Sequence, residues 1–208
     1  MSARPDHYFS ARPASPGERR ELRVRLAGRD VTLQTAPGVF CPDRLDLGTR
    51  VLLDHVPAPP RAGTLLDLGA GWGPVALTLG LLSPAATVWA VDVNQRALDL
   101  TRANAARVGI EHLHAARPED VPGEVRFDAI WSNPPIRVGK QVLHELLLDW
   151  LPRLAAGGTA YLVVQKNLGS DSLQKWLARE LEARWPGEFE VGRHASAKGF
   201  RVLEVARR

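Results

Sequence analysis

Thr64-Leu-Leu-Asp-Leu-Gly-Ala-Gly-Trp-Gly73 decides how the chain folds. The stretch opens as a short apolar run suited to a strand buried on both faces, then breaks into glycines at every second position. Glycine has no Cβ and accepts positive φ, so the backbone turns sharply there and a ligand can approach it closely. Asp67 stands where the strand ends. Residues 74–82 read as a helix whose leading Pro74 sits at a position that has no N–H partner in any case. A strand, a glycine loop and a helix in this order make a nucleotide-binding unit.

The spacing of the glycines selects among nucleotides. The dinucleotide pattern G-x-G-x-x-G needs a third glycine for close helix packing, but Pro74 stands three residues after Gly71. The pattern present is Asp67-x-Gly69-x-Gly71-x-Gly73. A carboxylate beside the loop repels a pyrophosphate and attracts a cation, which points to S-adenosyl-L-methionine with its sulfonium and ammonium groups. Asp92 closes the apolar run 87–91, about 20 residues further on, where a ribose-binding carboxylate is expected. It is also a candidate N-cap for a helix over 95–108, a role that Asn94 fills equally well.

Outward from this unit, strands and helices alternate. Strands are predicted over 87–92, near Leu113, and over 127–133 and 159–165, with helices over 95–108, 140–154 and 170–184. This alternation implies right-handed crossovers and a mostly parallel α/β sheet with helices on both faces. The last two strands, 188–194 and 200–206, are joined by a turn too short for anything but an antiparallel hairpin. Before the central unit, 22–33 alternates apolar and charged residues around Gly28 as a small hairpin, and 45–53 reads as a helix. Residues up to Gly17, rich in Pro, Ser, Ala and Arg, read as an extended arm. The division is therefore 1–60 as arm, hairpin and lid helix, and 61–208 as the catalytic domain.

With 45% hydrophobic and 24% charged residues the composition is that of an ordinary globular chain. No apolar run reaches the roughly 18–20 residues of a membrane helix, and residues 1–16 carry no signal-peptide core, so a cytoplasmic protein is expected. A single cysteine, Cys41, excludes an internal disulfide and a cysteine cluster. The six histidines show no i, i+4 pair, and no metal site is expected. A net charge of +4 suits contact with nucleic acid. Basic residues gather toward both ends of the chain, from Arg4 and Arg12 through Arg19, Arg20, Arg23, Arg25 and Arg29, and again at Arg193, Lys198, Arg201, Arg207 and Arg208; they would form one basic surface if the ends met beside the cofactor cleft, and an ordinary solvated face is the alternative.

The reacting end follows from Asn133-Pro134-Pro135-Ile136-Arg137, which closes the 127–133 strand. Two prolines hold the loop open and leave carbonyls without neighbouring N–H donors, so Asn133 and the Pro134 carbonyl can act together as acceptors for an exocyclic amine. Transfer of a methyl group to a planar amine needs both N–H groups held, so that the nitrogen lone pair faces the methyl in line. Trp89, Trp131, Trp150 and Trp176 fall at core positions, whereas Trp72 inside the glycine loop is a candidate cofactor contact.

These motifs resemble the class I S-adenosylmethionine-dependent methyltransferases, and in particular the small-subunit rRNA guanine-N2 methyltransferases of the RsmC-like group. Tyr8-Phe9-Ser10, Pro37-Gly38-Val39-Phe40, Leu45-Asp46-Leu47-Gly48-Thr49 and Lys198-Gly199-Phe200-Arg201-Val202 are similar to segments of that group, so the resemblance covers nearly the whole chain. It implies a Rossmann-like, mostly parallel seven-stranded sheet with an antiparallel C-terminal hairpin and a small N-terminal hairpin and helix extension. The implied cofactor contacts are Phe40, Asp67, Gly69, Gly71, Trp72, Gly73, Asp92, Val93 and Asn133. The catalytic loop is Asn133, Pro134, Pro135 and Ile136, with Arg137 and Lys198 on the substrate. The 38–40 loop and the 45–49 segment would close over the methionine end of the cofactor. The implied partner is ribosomal RNA or a small-subunit assembly particle, with the chain itself a monomer or homodimer. Three features depart from the group. There is no room for a duplicated N-terminal domain. His114-Ala-Ala-Arg117 has no acidic or amide residue for the adenine, leaving Glu119 or Asp120. Ile136 replaces an aromatic residue after the prolines. A protein-glutamine methyltransferase and a non-catalytic cofactor- and RNA-binding protein are the alternatives.

Overall fold

A computed structural model describes residues 18–208. Chain order gives β1 (Arg20–Leu26), β2 (Arg29–Thr35), α1 (Leu47–His55), β3 (Ala62–Leu68), α2 (Pro74–Leu82), β4 (Ala85–Val91) and α3 (Gln95–Arg107). There follow β5 (Leu113–Ala116), β6 (Phe127–Ser132), α4 (Lys140–Trp150), β7 (Leu154–Gln165), α5 (Ser170–Arg184), β8 (Phe189–Ala197) and β9 (Phe200–Arg207). The seven strands β3 to β9 form one sheet in the order β5-β4-β3-β6-β7-β9-β8. The pairs from β5 to β7 are parallel, and β9 runs antiparallel to both β7 and β8. This is the sheet that the resemblance implied, with the antiparallel hairpin at its C-terminal end.

Strand alternation distributes the core between the two faces. Leu65 of β3 packs with Val51 and Leu52 of α1, Ala76 and Leu79 of α2 and Leu98 of α3. Leu66 and Leu68 point the other way, among Leu143 and Leu147 of α4 and Leu177 and Leu181 of α5. Helix α2 is apolar all round and is buried from Pro74 through Gly80, because the hairpin β1–β2 lies against its outer side. Leu26 and Leu33 of the hairpin meet Leu77 of α2 and Leu100 and Ala105 of α3 in a third cluster. The fully buried Asn104 ties these layers together. Its Oδ1 accepts the Gln34 N–H at 2.6 Å, and its Nδ2 donates to the carbonyls of Gln34 and Trp72 at 2.9 and 3.0 Å.

Several boundaries differ from the sequence reading. The helix expected over 140–154 ends at Trp150, and a short 3-10 turn over Leu151–Arg153 follows, because Pro152 cannot extend the α-helical hydrogen bonding. Strand β7 starts five residues early at Leu154, which pairs with Phe127 ahead of the register shift in β6. The lid helix begins at Leu47 rather than Leu45, with Asp46 as its N-cap. The outermost strand β8 carries a bulge between Arg193 and Ala195. Among the described residues the two arginine clusters lie on different elements. The hairpin packs on α2 and α3, while β8 lies at the opposite edge of the sheet from β5. Residues 1–17, with the predicted arm and Tyr8-Phe9-Ser10, lie outside the described residues.

Candidate active site

The sheet reverses its strand order between β3 and β6, and the ends of two neighbouring strands that feed opposite directions leave a crevice there. A cavity of about 330 Å³ occupies that crevice, within the span of roughly 300–1,000 Å³ usual for small-molecule sites. Gly69 and Gly71 from the end of β3, Asp92 and Val93 from the end of β4, and Asn133, Pro134, Pro135 and Ile136 from the end of β6 all line it. Further wall comes from segments distant in sequence: Phe40, Cys41, Arg44 and Asp46 before α1, Pro118 after β5, Gln165 at the end of β7, Leu168 after it and Phe200 of β9.

The glycine loop is held through its backbone N–H groups. Gly69 and Ala70 donate to the Val91 carbonyl at 2.8 and 3.0 Å, and Gly71 donates to Asp92 Oδ2 at 2.8 Å. Gly73 has φ +96°, and a Cβ there would meet the Thr101 side chain at 3.0 Å, so only glycine lets α3 lie this close. Asp92 Oδ1 accepts the Asn94 N–H at 2.9 Å. Burial pushes the Asp92 carboxyl up, against the N–H groups of Asn94, Gly71 and Val93. The N-cap of α3 is Asn94, whose side chain accepts from Arg96 and Ala97 at 3.0 and 3.4 Å, which leaves Asp92 to serve the loop and the cavity. Asn94 Nδ2 also donates to the Gly38 carbonyl at 2.7 Å, and Arg96 donates to that of Pro37 at 2.6 Å. The 37–41 loop is thereby fastened over the cavity.

At the end of β6, Asn133 Nδ2 donates to Asp46 Oδ2 at 2.9 Å and to Thr49 Oγ1 at 3.0 Å. Both partners are acceptors here, so the amide has one orientation, and its Oδ1 remains as the acceptor. Asp46 Oδ2 also accepts the Thr49 N–H at 3.0 Å as the N-cap of α1. The Pro134 carbonyl corrects the sequence reading. It is not without a donor: it accepts the Ile136 N–H at 2.9 Å across Pro135, whose φ of −76° and ψ of 76° form an inverse γ-turn. One lone pair remains.

Three expected cofactor contacts do not reach the cavity. Asp67 is fully buried beneath the loop, where alternation along β3 turns it toward α2 and its Oδ2 accepts the Ala76 N–H at 2.8 Å. It caps a helix whose N-cap is Gly73, a residue with no side chain. Burial pushes its carboxyl up to about 8, against the Ala76 N–H and with a further push from Asp92. Buried beneath the loop and turned to α2, it does not face the cavity, and the attraction for a cation there assigned to it fails. Trp72 is 2% exposed in the hairpin cluster, its Nε1 donating to the Cys41 carbonyl at 3.2 Å. Gly73 is N-cap of α2, off the cavity. Lys198 sits exposed, at φ +48°, in the turn that delivers Phe200 to the cavity wall. The side chain of Arg137 lies outside the described residues. Neither Glu119 nor Asp120 lines the cavity; Pro118, at the start of their 3-10 turn, does.

Sequence reasoning missed Arg44, Cys41, Gln165 and Leu168, which carry no motif, and gave Asp46 only as part of a closing segment. The spacing of Asp46 and Thr49, three residues apart ahead of an apolar helix, was a capping signal for Asp46. The Cys41 thiol is pushed up by burial and then by Asp46, which does not suit a nucleophile. Among the described residues no group of three or more His, Cys, Asp or Glu is placed to hold a metal, and no helix is long and apolar enough to cross a membrane.

The raised Asp67 carboxyl makes stability depend on pH. In the unfolded chain it titrates near 3.8 and in the folded one near 8, so the unfolded state releases the proton first. Its stabilising contribution is complete below about pH 4 and falls by up to roughly 1.4 kcal/mol per pH unit until about pH 8. Asp67→Asn, which keeps an acceptor for Ala76, is expected to remove that slope. Urea unfolding of both proteins across this interval measures it; parallel curves would place an ionised Asp67 in the fold.

A doubly wound sheet with this strand order, its crevice at the switch point and an antiparallel last pair define a class I methyltransferase fold. Comparison with known proteins narrows it. The model of the methyltransferase small domain matches residues 30–203, and the chain belongs to that family. It is 34% identical over 170 residues to the uncharacterized protein YbxB of Bacillus subtilis, covering 80% of this chain and 85% of that one. It is 33% identical over 178 residues to the ribosomal RNA large subunit methyltransferase G of Pseudomonas paraeruginosa, covering 82% of this chain and 47% of that protein. Among solved structures, the Thermus thermophilus 16S rRNA N2 G1207 methyltransferase RsmC, in complex with AdoMet and guanosine, superposes with a TM-score of 0.74. Identity there is 26%, over 94% of this chain and 52% of that one, so the chain spans about half the length of these rRNA methyltransferases. The likeness to the RsmC-like group drawn from the motifs therefore holds.

Proposed function

We propose that the protein methylates the exocyclic N2 of a guanine in ribosomal RNA, with S-adenosylmethionine as methyl donor. The observation that carries this reading is the Asn133 amide, locked by Asp46 and Thr49 with Oδ1 left to accept, at the strand end that lines the cavity. The guanine base and the ribosomal RNA rest on the likeness to the thermophilic enzyme described with guanosine.

The residues fit the cofactor. Asp92 ends β4 with its carboxylate on the cavity, suited to ribose hydroxyls, and Val93 and Pro118 supply apolar walls for a base. Arg44 and Asp46 put one charge of each sign on the wall, as a zwitterionic amino-acid end requires. When bound, the cofactor supplies an electrophilic methyl group. The chain does the rest. Asn133 Oδ1 and the second lone pair of the Pro134 carbonyl accept the two amine N–H groups, which turns the nitrogen lone pair toward the methyl. The Asp46 carboxylate polarises the Asn133 amide through its N–H and makes Oδ1 a better acceptor as positive charge builds on the amine. The alkylated nitrogen then releases its proton to water without a dedicated base.

Mass spectrometry of rRNA nucleosides from cells with and without the gene tests the reaction. Loss of an N2-methylguanosine is expected, restored when the purified enzyme acts on the unmodified RNA; an unchanged nucleoside profile overturns it. The cofactor assignment has its own check. Asp92→Ala is expected to weaken S-adenosylmethionine binding by about 1–3 kcal/mol in calorimetry, since the ribose loses a charged acceptor. Parental affinity would leave Asp92 as a loop anchor alone.

A further inference from the structure

A second cavity, of about 690 Å³, lies between β1 of the hairpin and the helices α1 and α2. Arg23 and Arg25 of β1, Arg44 of the preceding loop and Arg50 of α1 line it, against two acids, Asp43 and Asp54. The charge of the groove is therefore positive. Several arginines elsewhere on the surface are matched to acids: Arg102 to Asp99 and Arg107 to Glu21 at 2.9 Å, Arg207 to Glu188 at 2.8 Å. Among the described residues, Arg23, Arg44 and Arg50 enter no such pair, and Arg25 reaches only Asp30 at 4.0 Å. The floor is apolar, with Leu53 and the exposed Leu82, and among the described residues β1 pairs with β2 alone.

Arg44 lines both this groove and the cavity that holds Asn133, so the two lie side by side. We propose that the groove is the track for the phosphate backbone of the single-stranded RNA next to the target base. Guanidinium groups grip phosphates with paired N–H donors and fix register without reading sequence, while apolar side chains tolerate any base. The proposal rests on the reading of the chain as an RNA methyltransferase and adds where the strand lies.

The test is binding of a guanine-containing single-stranded RNA oligonucleotide against salt concentration, for the parent and Arg23→Ala/Arg50→Ala. Both residues are exposed and unpaired, and neither touches the cofactor cavity, so S-adenosylmethionine affinity reports that the variant is folded. The variant is expected to bind RNA about tenfold more weakly at low salt, with a log–log slope flatter by roughly 1.4, the release of two fewer counterion equivalents at about 0.7 each. Arg179→Ala/Arg184→Ala on α5, across the sheet, removes the same charge and is expected to keep the parental slope. If both double variants flatten it alike, the effect is net charge and the track is overturned; it is likewise overturned if Arg23→Ala/Arg50→Ala binds as the parent does. If the parent methylates no RNA yet the slope difference persists, the track stands and the proposed reaction falls.

Discussion

Asn133→Ala is expected to leave S-adenosylmethionine affinity near its parental value while lowering the rate of methyl transfer by about 100-fold or more, the scale of a positioned acceptor acting in the transition state. The residue reaches the cavity from the end of β6, with its amide nitrogen committed to Asp46 and Thr49. Truncation removes the acceptor and leaves the cofactor-lining ends of β3 and β4 in place. Calorimetry for the cofactor and single-turnover kinetics for the chemistry separate the two effects. Because Asn133 closes a core strand, far-UV circular dichroism and a melting curve come first. A folded Asn133→Ala protein that methylates at the parental rate would sink the mechanism and leave the loop as structure.

Asp46→Ala should act on two observables at once. Oδ2 of Asp46 accepts from Thr49 N–H as the cap of α1 and from Asn133 Nδ2. Losing the cap destabilises the protein by about 0.5–2 kcal/mol. Losing the Asn133 anchor frees the amide to turn, and a further fall in kcat of about tenfold or more is expected, together with a rise in KM for the cofactor, whose amino-acid end loses its negative partner. Asp46→Asn keeps an oxygen in place and is as good a cap, so it should recover the stability and only part of the rate, the difference being the lost polarisation by charge. Were Asp46→Ala to melt earlier but turn over like the parent, Asp46 would be a cap and nothing more.

How much of this was legible depended on distance along the chain. Helix α2 was read to the residue because Pro74 marks its first turn and the glycine loop its start. The bounds of α5 were also read, from an apolar period of uninterrupted helix formers. Strand β7 was read short because Ala155-Ala-Gly-Gly158 looks like a turn; only its partner β6 makes an extended segment of it. Within the site, the ends of β3, β4 and β6 carry their own motifs, and those were found. Asp46 and Asn133 are 87 residues apart, and no local pattern joins them. Asp67 was misassigned for a related reason: the motif gives its place on the strand, while the sheet decides which face it looks from.

The bulge in β8 bears on how copies of this chain meet in a crowded solution. A long, flat outer strand is a template on which a second sheet can grow. Here one margin is β5, only four residues long, and the other is interrupted between Arg193 and Ala195, with Glu190, Arg193 and His194 exposed. Both margins discourage sheet-to-sheet aggregation, so a chain with seven strands in one sheet is expected to stay dispersed as it concentrates, and light scattering during refolding should show little growth of large particles.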